Sequence, residues 1–405
     1  MDNHVTVLGG GTAGWLTAYY LIKKLNYSNV TVIDSSEIGI LGAGEGSTPI
    51  LKKVYIDQLG LDEKEFTSKV NGTKKYGINF VGWNEDPTYE FIHGFELNGY
   101  PGYNSYAYHF DAVLFAKFLK EKTLELGGKH LDKVVKDFTL ENSKIKKVIF
   151  NDGTDLETSF IFDCSGYNRM IAGGVYNSEW VSYEDQLLVD RALPFSFSTD
   201  IASKFANTSA IASEAGWIWE IPLQNRYGCG YVFSSTHATE EDIKKEILLK
   251  YSDKELSFGK LIQFKSGYYS KVANHNSVAI GLSTGFLEPL EATSIMTTVQ
   301  QLIALPTDLF NSNFQEEHNT VVKSLYDQSM LFIRHHYNFS RNDTKFWKDY
   351  RELELPDTLI RVYSTVMEID DNVKEILNPA RGLLAFKKNN YQLILLQNFA
   401  KKELI

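Results

Sequence analysis

The residues whose chemistry is most legible stand near the start of the chain, where Gly9, Gly10, Gly11, Thr12, Ala13 and Gly14 follow an apolar run from His4 to Leu8. In this spacing Gly9 permits a tight turn, Gly11 lets a pyrophosphate approach the backbone, and Gly14 lets a helix pack closely on a strand. The N–H groups that open a helix from Trp15 to Leu25 would then face the phosphates. A second apolar run, Val30 to Ile33, ends in Asp34, an acid at the spacing that reaches a ribose hydroxyl. Glycines alone would read as a turn; glycines with this acid read as a dinucleotide-binding fingerprint. Leu41 to Pro49 forms another loop, too rich in glycine for a helix or strand, which must pass near something bulky, and Gly44 and Glu45 in it are assigned to the same cofactor.

Three further groups could do chemistry. Thr293 and Ser294 open a helix over Ile295 to Leu305, so their backbone N–H groups lack helical partners and make a site for a small anion. Glu291 lies just before that helix, where a carboxylate is favoured by the helix dipole even without a catalytic role. Trp217 and Trp219, two apart on a strand, project from one face and would either wall off a cofactor or simply fill the core. Nothing in the order of residues spaces His with Cys or with carboxylates as a metal site requires.

The elements that must position these groups follow from pattern. Tyr76 to Trp83 and Tyr89 to Phe95 are aromatic and β-like, and Asp111 to Gly127 has the period of a helix. Lys144 to Phe150 and Asp155 to Asp163 read as two strands around the turn Asn151-Asp152-Gly153, and residues 186 to 235 as an antiparallel meander. Ser47 or Thr48 can cap a helix that has Pro49 in its first turn, and Thr239 with Asp242 forms a capping box. Val278 to Ile280 is a short buried strand, and the chain beyond Ile295 is mostly helix.

Composition narrows the function classes. The 405 residues suggest about two interleaved domains. A formal charge of −10 with scattered Lys and Arg argues against a nucleic-acid partner. Cys164 and Cys229 are the only cysteines, which fits a reducing compartment and buried thiols. A strand that begins four residues from Met1 leaves no room for a signal peptide, and no apolar stretch reaches the ~20 residues of a membrane span. The expected location is the cytosol, with no membrane partner.

Taken together, Gly9 to Gly14, Lys75 in Asn71-Gly72-Thr73-Lys74-Lys75, the string Trp217-Ile218-Trp219-Glu220-Ile221-Pro222, and Gly285 to Thr293 resemble the flavin-dependent tryptophan halogenase family. The resemblance covers residues 4 to about 350, and its WxWxIP string separates that family from flavin monooxygenases of the same fold. It implies that FAD, reduced by a separate flavin reductase, works with O2 to turn halide into hypohalous acid, which reaches an aromatic substrate through a tunnel. It further implies that Lys75 handles the electrophilic halogen and that Glu291 polarises it or takes the ring proton, while Lys74 faces the other way. Leu282 and Ile295 match positions whose backbone touches FAD, Thr293 and Ser294 the halide site, and His93 and Phe95 a pair that stacks on the substrate. Trp217, Trp219 and Pro222 would wall the tunnel, and Glu288 would be structural. The chain carries Ala292 and Ser294 where the family has Ser and Gly. Its end is shortened, and Phe332 to Trp347, with His335, His336, Tyr337 and Phe346, would either line a more open aromatic pocket or serve as packing.

The resulting expectation is a mixed α/β fold of the hydroxybenzoate-hydroxylase kind. Its FAD-binding, Rossmann-like part comprises 1–85, 105–180 and 275–305. Its antiparallel substrate region with a helical C-terminus comprises 86–104, 181–274 and 306–405. The expected activity is FADH2-dependent halogenation of an electron-rich phenol or indole; the competing readings are a flavin hydroxylase and a non-catalytic flavin binder. The sequence leaves a homo-oligomer open.

Overall fold

A computed structural model describes residues 3–39, 45–95, 105–198, 206–338, 340–367 and 391. Its first layer is a six-stranded sheet ordered Ala273–Asn274, Ser277–Ala279, Phe160–Asp163, Val5–Leu8, Val30–Asp34, Lys129–Asp132, parallel except for the first strand. The chain leaves Val5–Leu8 towards Val30–Asp34 on one side and returns to Phe160–Asp163 on the other, so the strand order reverses at the glycine turn. Open α/β sheets bind ligands at such a switch point.

Side-chain alternation divides this sheet between two cores. Val5, Val7, Val30, Val32, Phe160 and Phe162 pack with the helices Thr12–Lys23, Ala112–Glu125 and Thr293–Ile303. Leu8, Ile33 and Ile161 face the opposite way, towards Ile145, Val148 and Phe150 of a three-stranded sheet, Val135–Glu141, Lys144–Phe150 and Asp155–Glu157. The expected single strand from Asp155 to Asp163 is therefore two. The chain breaks at Thr158 and Ser159, where the N–H of Thr158 bonds Lys146 and that of Ser159 bonds His4, because its two halves belong to different sheets.

The second layer is a nine-stranded sheet whose main path runs Ser257–Phe258, Arg191–Ser198, Arg226–Phe233, Gly216–Pro222, Ala206–Ser213, Thr73–Val81, Glu90–Gly94. Ile262–Gln263 adds to Arg191–Ser198, and Ala107–His109 to Thr73–Val81. The expected meander is only partly present. Arg191–Ser198 pairs with Arg226–Phe233 rather than with its sequence neighbour, which instead lies parallel to Thr73–Val81. Thr73–Val81 falls inside the 1–85 segment but is hydrogen-bonded into this second sheet.

One face of the large sheet carries the helix Glu240–Lys250, started by the expected Thr239–Asp242 capping box. The other face carries an aromatic core contributed in part by Gln315–Asn338 and Lys345–Glu352. Pro49 stands in the first turn of its helix, but the cap expected of Ser47 or Thr48 is not made: Ser47 Oγ donates to the Tyr108 carbonyl. Both cysteines are free and buried. Among the described residues, no helix is long and apolar enough to cross a membrane.

Candidate active site

At the switch point, the glycines are fixed by how closely chains approach. A Cβ on Gly9, whose φ is +111°, would sit 2.2 Å from the Cys164 carbonyl, and one on Gly14 would sit 1.8 Å from the Gly9 carbonyl. A Cβ on Gly11 would meet nothing within 4 Å, and Gly11 caps the helix Thr12–Lys23 without a side-chain bond. Open space in front of uncapped N–H groups is what a pyrophosphate needs. Asp34 packs against Gly10, and His130 Nε2 lies 2.5 Å from its Oδ1. Gly281, with φ of +70°, lets the turn into Leu282 touch Ala13. These features fit FAD. Gly44 lies outside the described residues. Glu45 is held by Arg226, which also reaches Asp111 Oδ2 at 3.2 Å. Burial raises the Glu45 carboxyl above its ordinary value, against the pull of Arg226.

A cavity of about 800 Å³ joins this region to the large sheet, and Glu45, Leu282, Ser294 and Ile295 line it together with Lys75 and Glu291. Lys75 faces inward by strand alternation: Lys74 is exposed beside Glu63, whereas Lys75 is 1% exposed. Its Nζ donates to the Ser47 carbonyl at 3.2 Å and stands 5.5 Å from the centre of the Phe95 ring. Burial pushes its ammonium down to about 8, with the Glu291 charge acting in the opposite sense. A neutral amine is thus within reach near neutral pH.

Glu291 occupies a strained turn. It and Ala292 take φ of +64° and +53°, left-handed values that cost non-glycine residues roughly 1–3 kcal/mol each. The turn lies within Leu290–Ala292, directly before the helix Thr293–Ile303, and leaves the carboxylate 3% exposed. Oε1 lies 2.7 Å from His93 Nδ1 and 3.0 Å from His336 Nε2. Burial alone would raise this carboxyl; the two rings outweigh it and hold the group well below the usual carboxylate range. The histidine expected to stack on a substrate is therefore committed to Glu291. By distance, His93, Glu291 and His336 could also hold a metal ion, a cluster the order of residues did not show.

Glu288, three residues earlier, is buried in a different setting. Its Oε1 accepts from Tyr337 Oη at 2.8 Å and from Trp217 Nε1 at 3.3 Å, while Oε2 has no partner. Burial pushes this carboxyl up to about 8. Trp217 is thereby fixed from behind, and its ring lies 6.3 Å from that of Trp219, edge to face. Both indoles line the cavity, as their shared strand face requires. A Cβ on Gly230 would come within 2.1 Å of the Trp219 ring, so a glycine on the neighbouring strand makes room for it.

Several expected positions fall elsewhere. Ile221 rather than Pro222 lines the cavity; the Pro222 carbonyl accepts the Thr73 hydroxyl at 2.7 Å. At the helix N-terminus Ser294 reaches the cavity and Thr293 does not. His335, His336, Tyr337, Phe346 and Trp347 are core rather than an open pocket, and Tyr337 stacks on Tyr350 with ring centres 3.8 Å apart. The reading of the sequence missed the partner roles of His336 and Arg226. An Arg facing two acids has a local signature only in charge, and none in spacing.

Comparison with known proteins agrees with this geometry. The family model described as tryptophan halogenase matches residues 4–103 and 96–398. Tryptophan 7-halogenase RebH of Lentzea aerocolonigenes is 30% identical, over 90% of this chain and 82% of RebH. The crystal structure of the tryptophan 6-halogenase SttH from Streptomyces toxytricini superposes with a TM-score of 0.87 at 28% identity, covering 98% of this chain and 90% of SttH. BrvH, a flavin-dependent halogenase from Brevundimonas sp. BAL3, gives 0.84 at 27% identity, covering 98% and 90%. A fingerprint crevice, a buried lysine and carboxylate on one cavity, and a family match over most of its length place this chain in the flavin-dependent tryptophan halogenase family of enzymes.

Proposed function

We propose that this enzyme uses reduced FAD, O2 and halide to halogenate an electron-rich aromatic of the phenol or indole type, with Lys75 and Glu291 as its catalytic residues. The observation that carries this reading is their joint placement: a buried amine and a buried carboxylate line one cavity with Trp217, Trp219 and the helix start at Ser294. FAD, held along Gly9 to Gly14, Asp34 and Leu282, supplies with O2 the two-electron oxidation of halide to hypohalous acid. The free N–H groups around Ser294 offer the halide a place to bind. Trp217 and Trp219 stand as a wall that keeps the organic substrate from the cofactor, which favours halogenation over hydroxylation.

Lys75 then holds the hypohalous acid by a hydrogen bond, or its neutral amine displaces water and becomes a haloamine. The ring carbon takes the halogen, its C–H bond breaks to restore aromaticity, and the proton passes to Glu291. Reduced FAD comes from a separate reductase. A panel of phenols and indoles with chloride, bromide and iodide, run with an added flavin reductase and read by mass, tests this reading. Halogen rather than oxygen must add to the product. Lys75→Ala must abolish halogenation while reoxidation of FADH2 by O2 continues; halogenation retained in that variant would remove Lys75 from the mechanism.

A further inference from the structure

Two histidines meet Glu291, and the backbone fixes the tautomer of His336. His336 lies on the helix Gln315–Asn338, and its Nδ1 is 2.8 Å from the carbonyl oxygen of Phe332 in the preceding turn. A carbonyl can only accept, so Nδ1 carries a hydrogen. The other nitrogen, Nε2, is 3.0 Å from Glu291 Oε1. In the neutral ring that nitrogen would be a bare lone pair against an oxygen of the carboxyl group. A hydrogen must lie between them, and it can sit on the carboxyl group or on the ring.

The surroundings decide where. His93 Nδ1 approaches the same Oε1 at 2.7 Å, and two donors on one oxygen favour the carboxylate over the acid. The His336 ring is itself packed between Phe80, stacked at 4.9 Å, and Phe332, edge-on at 4.7 Å, which fixes its plane and shuts out water. A charge-assisted bond in so dry a setting is worth more than a neutral one.

We propose that His336 is a positioning residue for the halogenation step: by donating Nε2–H to Oε1 it holds Glu291 as an anion and leaves its second oxygen for the cavity. Glu291 lines the cavity and His336 does not, so His336 acts through Glu291. The inference rests on the reading of Glu291 as the proton acceptor. It assigns the carboxylate's state to a residue on a helix outside the nucleotide-binding crevice.

His336→Phe keeps the ring's shape among Phe80 and Phe332 but removes the donor; His336→Gln returns an N–H. With the full enzyme, FAD and an added reductase, the Phe variant should lose about 10- to 100-fold in kcat for halogenation, the scale of one charged hydrogen bond. Its KM for the aromatic should not move, nor should formation of hypohalous acid, trapped with taurine. The Gln variant should recover to within about threefold of the parent. An unchanged kcat in the Phe variant, or an equal loss in both variants with folding intact by thermal melting, would overturn the proposal. If the Phe variant does not fold, the Gln variant decides alone, since a tenfold loss there contradicts a donor role. Parent enzyme that forms no hypohalous acid would defeat the reading of the site instead. In that event ¹⁵N-histidine NMR of the parent still tests His336: a hydrogen on both nitrogens, lost from one in Glu291→Gln, supports the proposal, and a ring protonated on Nδ1 alone in the parent overturns it.

Discussion

Glu288 and Glu291 are three residues apart, equally inaccessible to water, and opposite in character. Glu291 faces two imidazole rings on one oxygen and is held ionised. Glu288 faces a phenol and an indole, neutral donors that do not offset the loss of water, and its second oxygen is left without a partner. Burial therefore does not determine a carboxylate's charge; the charge its donors can carry does. The difference also divides labour: the ionised group lines the cavity, and the neutral one braces Trp217 from behind.

The contrast breaks most visibly in rate. Glu291→Gln should slow halogenation by roughly 10²–10⁴-fold, the scale of losing a general acid–base group. Glu288→Gln, which keeps an oxygen for both donors, should change it less than about tenfold. Single-turnover rates with one phenol or indole check this; equal losses in the two variants would erase the distinction.

The next effect is in stability against pH. The Glu288 carboxyl is raised from 4.5 to about 8 on folding, so between those values the native state keeps a proton that the unfolded chain has released. Its contribution to stability is complete below 4.5 and is lost as pH rises towards 8, with a slope of at most about 1.4 kcal/mol per pH unit. Lys75 acts in another window: lowered from 10.5 to about 8, it adds stability only as pH rises between those values. Urea midpoints at pH 5.5 and 7.5 should therefore converge in Glu288→Gln relative to the parent, and parallel behaviour would mean that Glu288 is ionised after all.

The smallest effect concerns the anion. Ser294 brings a side chain to the cavity at the start of the helix Thr293–Ile303, and larger halides shed water more cheaply. Bromide and iodide should work at least as well as chloride. Ser294→Gly should shift the halide rate ratios by about threefold, the scale of one weak hydrogen bond. A clear chloride preference would contradict the first expectation, and unchanged ratios in the variant would clear Ser294 as the cause.

What could be read from the residues in order was local. Gly9, Gly14 and Asp34 mark a strand, a turn and a helix within about thirty residues. Period-two alternation turns Lys75 inward and Lys74 outward, and places Trp217 and Trp219 on one face. The start of a helix at Thr293 is equally local. The strand path was less legible: Arg191–Ser198 skips its neighbour, and Asp155 to Asp163 splits between two sheets, because pairing is set by partners distant in sequence.

Sequence by itself determined the glycine turn, the inward lysine and the helix start, since each depends on backbone geometry over a few residues. The tertiary structure alone decided the state of the carboxylates. His93 and His336 reach Glu291 across 198 and 45 residues, and Arg226 reaches Glu45 across 181. A group's charge depends on which donors and how much water surround it, and in this chain those neighbours are assembled only when the strand Glu90–Gly94 and the helix Gln315–Asn338 close on the turn at Glu291.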